Sequence, residues 1–192
     1  GYFSADFRDH PVSHLSVELY GLHDRKKFEI HAFSFGPDTK DEFNLRIKEG
    51  VDHYYDVQSV SDKDVALLSR SLNIDIAVDL GGFTKNSRTR IFAMRAAPIQ
   101  VNYLGYSGTM ASDYMDYIIA DQTIIPENMK QHYSERIAYL PYSYMVTDSK
   151  ARSQNVKFTR EDAGLPSKGF VFCCFNKHYK ISPTTFFVWM KI

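Results

Sequence analysis

Cysteine is almost missing from this chain, which has two, the adjacent Cys173 and Cys174. Strand neighbours point to opposite faces and adjacent residues close only a strained ring, so no disulfide framework is expected. Both read as reduced thiols of a cytoplasmic protein. Long apolar runs are missing too. None approaches the ~20 residues of a membrane-crossing helix, and the opening residues lack the pattern of a signal peptide. Net charge is absent: 23 basic residues balance 23 acidic ones, so nothing draws the chain toward nucleic acid or anionic lipid. There is no internal repeat and no low-complexity tract. The G-x-G-x-x-G fingerprint does not occur at either glycine turn described below, which argues against an NAD dehydrogenase.

What is there suffices for a core, with 44% hydrophobic residues and 15% aromatics spread along the chain. The chain is organised around Val78–Thr109. A buried apolar run, Ile74–Leu80, stops at Gly81-Gly82. An amphipathic segment, Lys85–Arg95, follows, and a second β-type run, Ile99–Leu104, ends in Gly105-Tyr106-Ser107-Gly108. Strand, glycine turn, helix, strand, glycine turn predicts a parallel α/β sheet with ligands at the carboxyl ends of its strands. Further strands are expected at Gly1–Ser4, Phe28–Phe35, His53–Val57, Tyr117–Ala120 and Arg136–Leu140. Helices are expected at Leu15–Leu22, Phe43–Glu49, Ser61–Leu72 and Glu127–Tyr133. Gly1–Ser4 looks too short for a central sheet position, and the chain closes inside a helical run, so both ends read as cut. The pattern fails from Tyr142 to Lys157, which predicts a junction. Residues 1–148 are expected to form a Rossmann-like lobe, and 149–192 the start of a second α/β lobe. That start comprises a small helix at Thr159–Ala163, a strand at Phe170–Phe175 and a helix opened by Ser182-Pro183.

Three stretches carry residues suited to chemistry. Asp6-Phe7-Arg8-Asp9-His10-Pro11 follows the first strand, so it should share a rim with the glycine turns. A histidine beside carboxylates suits a general base, or it simply caps the next helix. His10 and His14 have the spacing of helical zinc ligands, but His23, His31, His53, His132 and His178 supply no recognisable third ligand, and no metal site is expected. Cys173–Pro183, CCFNKHYKISP, places Lys177 and Lys180 before a helix start. This favours a phosphate, or it is a solvated loop without P-loop glycines.

Several motifs in order, D-F-x-x-H-P at Asp6–Pro11, DLGGFT…R…FAMRAAPIQVNYLGYSGT at Asp79–Thr109, MDYIIAD at Met115–Asp121, YSE at Tyr133–Glu135 and CCFNKHYKISP, resemble the catalytic region of O-linked N-acetylglucosamine (O-GlcNAc) transferases of bacterial type. The resemblance covers nearly the whole chain. It implies a GT-B glycosyltransferase that moves N-acetylglucosamine from UDP-GlcNAc to serine or threonine hydroxyls of proteins, with inversion and without a metal or other cofactor. It places Asp6, His10 and Pro11 at the sugar, with Leu104 and Gly105 beside it. Lys180 falls on the diphosphate, with Asn176, Lys177 and Tyr179 nearby. Ala96, Ser107, Val12 and Lys177 depart from the common pattern, leaving a sister enzyme that uses UDP-glucose or an asparagine acceptor as the alternative. A binding module of the same fold that has lost turnover is the other. Tetratricopeptide repeats and most of the nucleotide lobe are expected elsewhere in the full protein, so these residues by themselves should be inactive.

Overall fold

Short apolar strands alternate with amphipathic helices because each strand's flanking glycine, proline or polar cluster stops it within a few residues. The computed structural model describes residues 1–151 and 158–192, and the chain divides into two compact units, Gly1–Ala151 and Arg152–Ile192. In the first unit the strands are β1 (Tyr2–Ser4), β2 (His31–Ser34), β3 (His53–Asp56), β4 (Ile76–Asp79), β5 (Ile99–Asn102), β6 (Tyr117–Ala120) and β7 (Arg136–Tyr139). They form one seven-stranded sheet in the order β3-β2-β1-β4-β5-β6-β7. Every neighbouring pair is parallel. The chain therefore winds outward from β1 to β3, returns to β4 beside β1, and winds the other way. The strand order reverses between β1 and β4, and the crevice outside the carboxyl ends at such a reversal is where open α/β sheets bind ligands.

Both faces are covered, as a parallel sheet requires. On one face α4 (Asp62–Ser71) and α5 (Arg90–Ala93) pack Val65, Ala66, Ile91 and Phe92 onto Phe3 and Phe33. Phe3 stacks on Phe33 at 4.4 Å and meets Phe92 edge-on at 5.3 Å. Each such pair adds about 0.5–1.5 kcal/mol beyond area burial. On the other face α1 (Pro11–Ser16), α2 (Leu19–Leu22) and α3 (Glu42–Gly50) bring Tyr20 and Ile47 against Phe7, Val101 and Leu104. Caps follow sequence signals. Ser61 Oγ accepts the Asp64 N–H at 3.2 Å to open α4, and Asp41 accepts from Asn44 N at 2.9 Å to open α3.

Four expectations need correction. Gly1–Ser4 is not peripheral: β1 is three buried residues with β2 on one side and β4 on the other. A strand that short holds a central place because both neighbours ladder with it. The helix expected over Lys85–Arg95 shrinks to Arg90–Ala93. Asn86 takes a left-handed φ of 65°, and Arg88 is tied to Asp62 at 2.6 Å and to the carbonyls of Val57 and Val60. Those tertiary bonds outcompete the helical ladder. In the second unit Thr159–Ala163 closes only a turn, stopped by Gly164 at φ 64°. The strand expected at Phe170–Phe175 does not form: the run has no regular structure, with Phe170, Phe172 and Phe175 exposed. β propensity yields a strand only where a ladder partner exists, and none exists for it among the described residues of its unit. The Ser182-Pro183 start does form a helix, α6 (Pro183–Trp189), with Ser182 Oγ accepting from Thr185 N at 3.1 Å. Part of the expected junction, residues 152–157, lies outside the described residues.

Candidate active site

Polar residues at the ends of apolar strands shape the carboxyl rim. After β1 the chain turns tightly: Arg8 N–H donates to Asp6 O at 2.8 Å, and Ser13 Oγ donates to the same carbonyl at 2.5 Å. Asp6 is 7% exposed. Its carboxylate meets Arg8 Nη2 at 3.2 Å on one oxygen and lies 3.6 Å from His10 Nδ1 on the other. His10 is the N-cap of α1, accepting the Val12 N–H at Nδ1 over 3.3 Å. One ring nitrogen cannot accept and donate at once. Without a proton it caps α1; with one it points that proton at Asp6 and leaves Nε2 as the basic face. The two sequence readings of His10, base and cap, are thus two tautomers in one geometry. Pro11 is the first residue of α1, where its missing N–H costs nothing.

The β4 and β5 turns touch. A Cβ on Gly105 would sit 2.1 Å from the Leu80 carbonyl oxygen, and one on Gly82 would sit 2.5 Å from Tyr106 Cβ. Only glycine permits that approach. Leu104 between them has φ 71°, with Gly105 N–H donating to Tyr103 O at 2.9 Å, a γ-turn of the rarer, strained sense. Non-glycine residues in such conformations cluster at functional sites, where surrounding structure over-determines them.

Beneath these turns lie two residues that sequence reasoning passed over. Asp79 and Asn102 end β4 and β5 and are register partners. Asp79 is 2% exposed; its Oδ1 accepts the Gly81 N–H at 2.9 Å while Oδ2 has no partner. Burial pushes its carboxyl above the usual range, against the opposing pull of the Gly81 and Gly82 amides. Asn102 is fully buried and donates to Tyr106 O at 3.0 Å and Gly108 O at 3.1 Å, again with an unpaired oxygen. Each fastens the turn that follows its own strand. The signal was a polar residue closing an apolar run just before glycine, in AVDLGG and QVNYLG. Glu135 fixes the far end of the second turn, accepting from Met110 N at 2.5 Å and Thr109 Oγ1 at 2.7 Å. Asp121, after β6, accepts from Thr123 N, Ile124 N and Tyr144 N, amides that hold its carboxyl below the usual range.

The rim of the first unit therefore carries Asp6, His10 and Pro11 after β1 and Leu104 and Gly105 after β5, with the Gly81 turn after β4. Lys177, Asn176, Tyr179 and Lys180 belong to the second unit. There Lys177 precedes a 3-10 turn, His178–Lys180, Asn176 Nδ2 reaches Cys174 Sγ at 3.6 Å, and all four side chains are exposed. Cys173 and Cys174 are free thiols. His14 does not join His10: it pairs with Asp9 at 2.6 Å and stacks on Phe43.

The glycosyl transferase family 41 model matches residues 1–158 and 149–192. The chain belongs to that family. It is 38% identical over its whole length to a probable UDP-N-acetylglucosamine–peptide N-acetylglucosaminyltransferase, SEC, of Arabidopsis thaliana, spanning 20% of that relative. A Caenorhabditis elegans UDP-N-acetylglucosamine–peptide N-acetylglucosaminyltransferase is 33% identical over 77% of this chain and 13% of its own length. Among solved structures, a variant of the Thermobaculum terrenum O-GlcNAc transferase superposes with TM-score 0.73 at 33% identity, covering 76% of this chain and 28% of that one. The fold is the Rossmann-like parallel lobe of a GT-B transferase. The chain spans about a fifth of the curated relatives it matches over its full length. No helix among the described residues is long and apolar enough to cross a membrane.

Proposed function

We propose that this chain is part of an inverting glycosyltransferase of the cytoplasm that moves N-acetylglucosamine from UDP-GlcNAc to serine or threonine hydroxyls of acceptor proteins. The observation that carries the reading is the carboxylate–imidazole pair, Asp6 and His10, at the strand-order reversal of a lobe whose relatives bear that activity in their names. The acceptor oxygen bonds to the anomeric carbon as the carbon–oxygen bond to UDP breaks with its electron pair. The hydroxyl proton passes to His10 Nε2, and Asp6 steadies the imidazolium through Nδ1–H. Negative charge growing on UDP calls for a fixed cation, which the resemblance assigns to Lys180. Asn176, Lys177 and Tyr179 bind the nucleotide sugar beside it, and Leu104 and Gly105 line the sugar. Transfer runs without a metal or cofactor, and tetratricopeptide repeats elsewhere in the full protein present the acceptor.

The test uses the full protein, UDP-GlcNAc and an acceptor peptide. Lys180→Ala should lower kcat by about 10²–10³, with Lys180→Arg restoring part of it. His10→Asn keeps a good helix cap but no base, so it should preserve the melting temperature while turnover falls about 10²–10⁴. Near-normal kcat in both, preference for UDP-glucose or an asparagine peptide, or a rate abolished by chelator would overturn the proposal.

A further inference from the structure

The opposite rim of the same sheet holds a group of side chains that the transfer reaction does not use. His31 and His53 are the first residues of β2 and β3 and are paired in register, with Glu29 two residues ahead of His31. Their rings lie 4.7 Å apart. Glu29 Oε1 sits 2.7 Å from His53 Nε2 and 3.7 Å from His31 Nε2. One ligand atom from each of the three lies within 4.8 Å of the others. No sequence spacing announces this set, because parallel pairing brings the first residues of two strands side by side although a helix separates them in the chain.

We propose that Glu29, His31 and His53 form a binding site for a borderline divalent metal, zinc first among them, that clips the edge strand β3 to β2. Two imidazoles and one carboxylate are a known zinc donor set that leaves a fourth position to water. The second observation is His31 itself, 6% exposed. Its Nδ1 faces Tyr55 Oη at 3.3 Å. With the proton on Nδ1 donated to that hydroxyl, Nε2 turns a lone pair toward Glu29 and has no hydrogen bond of its own among the described residues. A ligating histidine whose other nitrogen is held by a second group is the usual arrangement around zinc.

Both separations from Glu29 suit closure. Tetrahedral bonds of about 2.0–2.1 Å set neighbouring donors about 3.3 Å apart. The 3.7 Å separation needs to shrink and the 2.7 Å separation to widen, each by about half an ångström. Glu29 and His53 are exposed and move easily, so buried His31 is the fixed point. Asp52, the nearest other carboxylate in sequence, is already committed to Arg25 and to Ile30 N. At the amino ends of the strands the metal is remote from Asp6 and His10, so it acts on stability and not on transfer.

The experiment uses the full protein carrying Cys173→Ser and Cys174→Ser, which removes the two thiols of this chain as competitors for zinc. After chelation, zinc chloride is titrated calorimetrically and thermal melts are run with and without it. We expect micromolar binding and a melting temperature several degrees higher in zinc. Both should be lost by one equivalent of metal in His53→Ala and Glu29→Gln, whose exposed side chains the fold does not need. Cobalt bound at the same site should show no thiolate charge-transfer band. Identical stoichiometry and zinc-induced stabilisation in the Glu29→Gln, His53→Ala double variant would overturn the assignment, as would no binding at all. The rate of sugar transfer, read separately, should not follow zinc.

Discussion

Replacing Gly105 by alanine tests whether contact between the two central turns holds the candidate site. The added Cβ would lie 2.1 Å from the Leu80 carbonyl oxygen, a backbone atom that cannot rotate away. An ordinary carbon–oxygen contact is about 3.3 Å, so one turn must retreat by about 1.2 Å. Overpacking of this kind costs about 1–3 kcal/mol. For a unit of this size that is about 2–12 °C in melting temperature. Retreat also moves Leu104 and loosens the γ-turn at the rim, and a displacement near 1 Å costs about 10² in rate when it reaches a positioned substrate. The control is Gly21→Ala. Gly21 lies in α2, and a Cβ there would meet nothing within 4 Å. Alanine in a helix gains about 0.5–1 kcal/mol over glycine, so this variant should melt no lower than the parent. Circular dichroism melts and transfer assays on the full protein read both effects. If Gly105→Ala melts and turns over like Gly21→Ala, the turns do not support one another and the site has been built on the wrong contact.

Two further outcomes follow from buried charge. Because the folded carboxyl of Asp79 is raised by burial, the native state holds a proton that the unfolded chain releases, and stability falls as pH rises from about 3.9 through that raised value. Asp79→Asn keeps an oxygen for the Gly81 N–H and removes the titration, so over a pH series its melting temperature should gain on the parent's as pH rises from about 3.9 through that raised value; a gain that shrinks with rising pH would refute this. Arg46 holds Asp148 by two bonds of 2.7 and 2.9 Å, the Asp148 side chain being 2% exposed. That guanidinium keeps the carboxyl below its usual range, so the contribution is present above about pH 4 and is lost as pH falls through the depressed value. Arg46→Met should cost roughly 1–3 kcal/mol at pH 7, less than a fully buried pair because Arg46 is partly exposed, and the difference should close in acid melts.

Periodicity and turn chemistry made most of the first unit legible. Ile74–Leu80, Ile99–Leu104 and Tyr117–Ala120 are apolar runs bounded by glycine or polar residues, and local sterics suffice to make them strands. Parallel alternation then set which rim carries Asp6, Gly81 and Gly105, since every loop after a strand leaves on the same side. Local chemistry likewise specified the caps at Ser61 and Ser182. Elsewhere the outcome rested on partners distant in the chain. The run at Phe170–Phe175 has the composition of a strand but no ladder to join among the described residues, while β1, far shorter, is a strand because both neighbours accept it. The helical pattern of Lys85–Arg95 lost to Arg88, whose bonds reach back to Val57, Val60 and Asp62. The rim also depended on such contacts: unpaired oxygens on Asp79 and Asn102, and Leu104 in a strained turn, exist only once two strands are laid side by side. Glu29, His31 and His53 meet for the same reason. Spacing along a chain encodes neighbours on one element, whereas register between strands is set by the packing of the whole sheet.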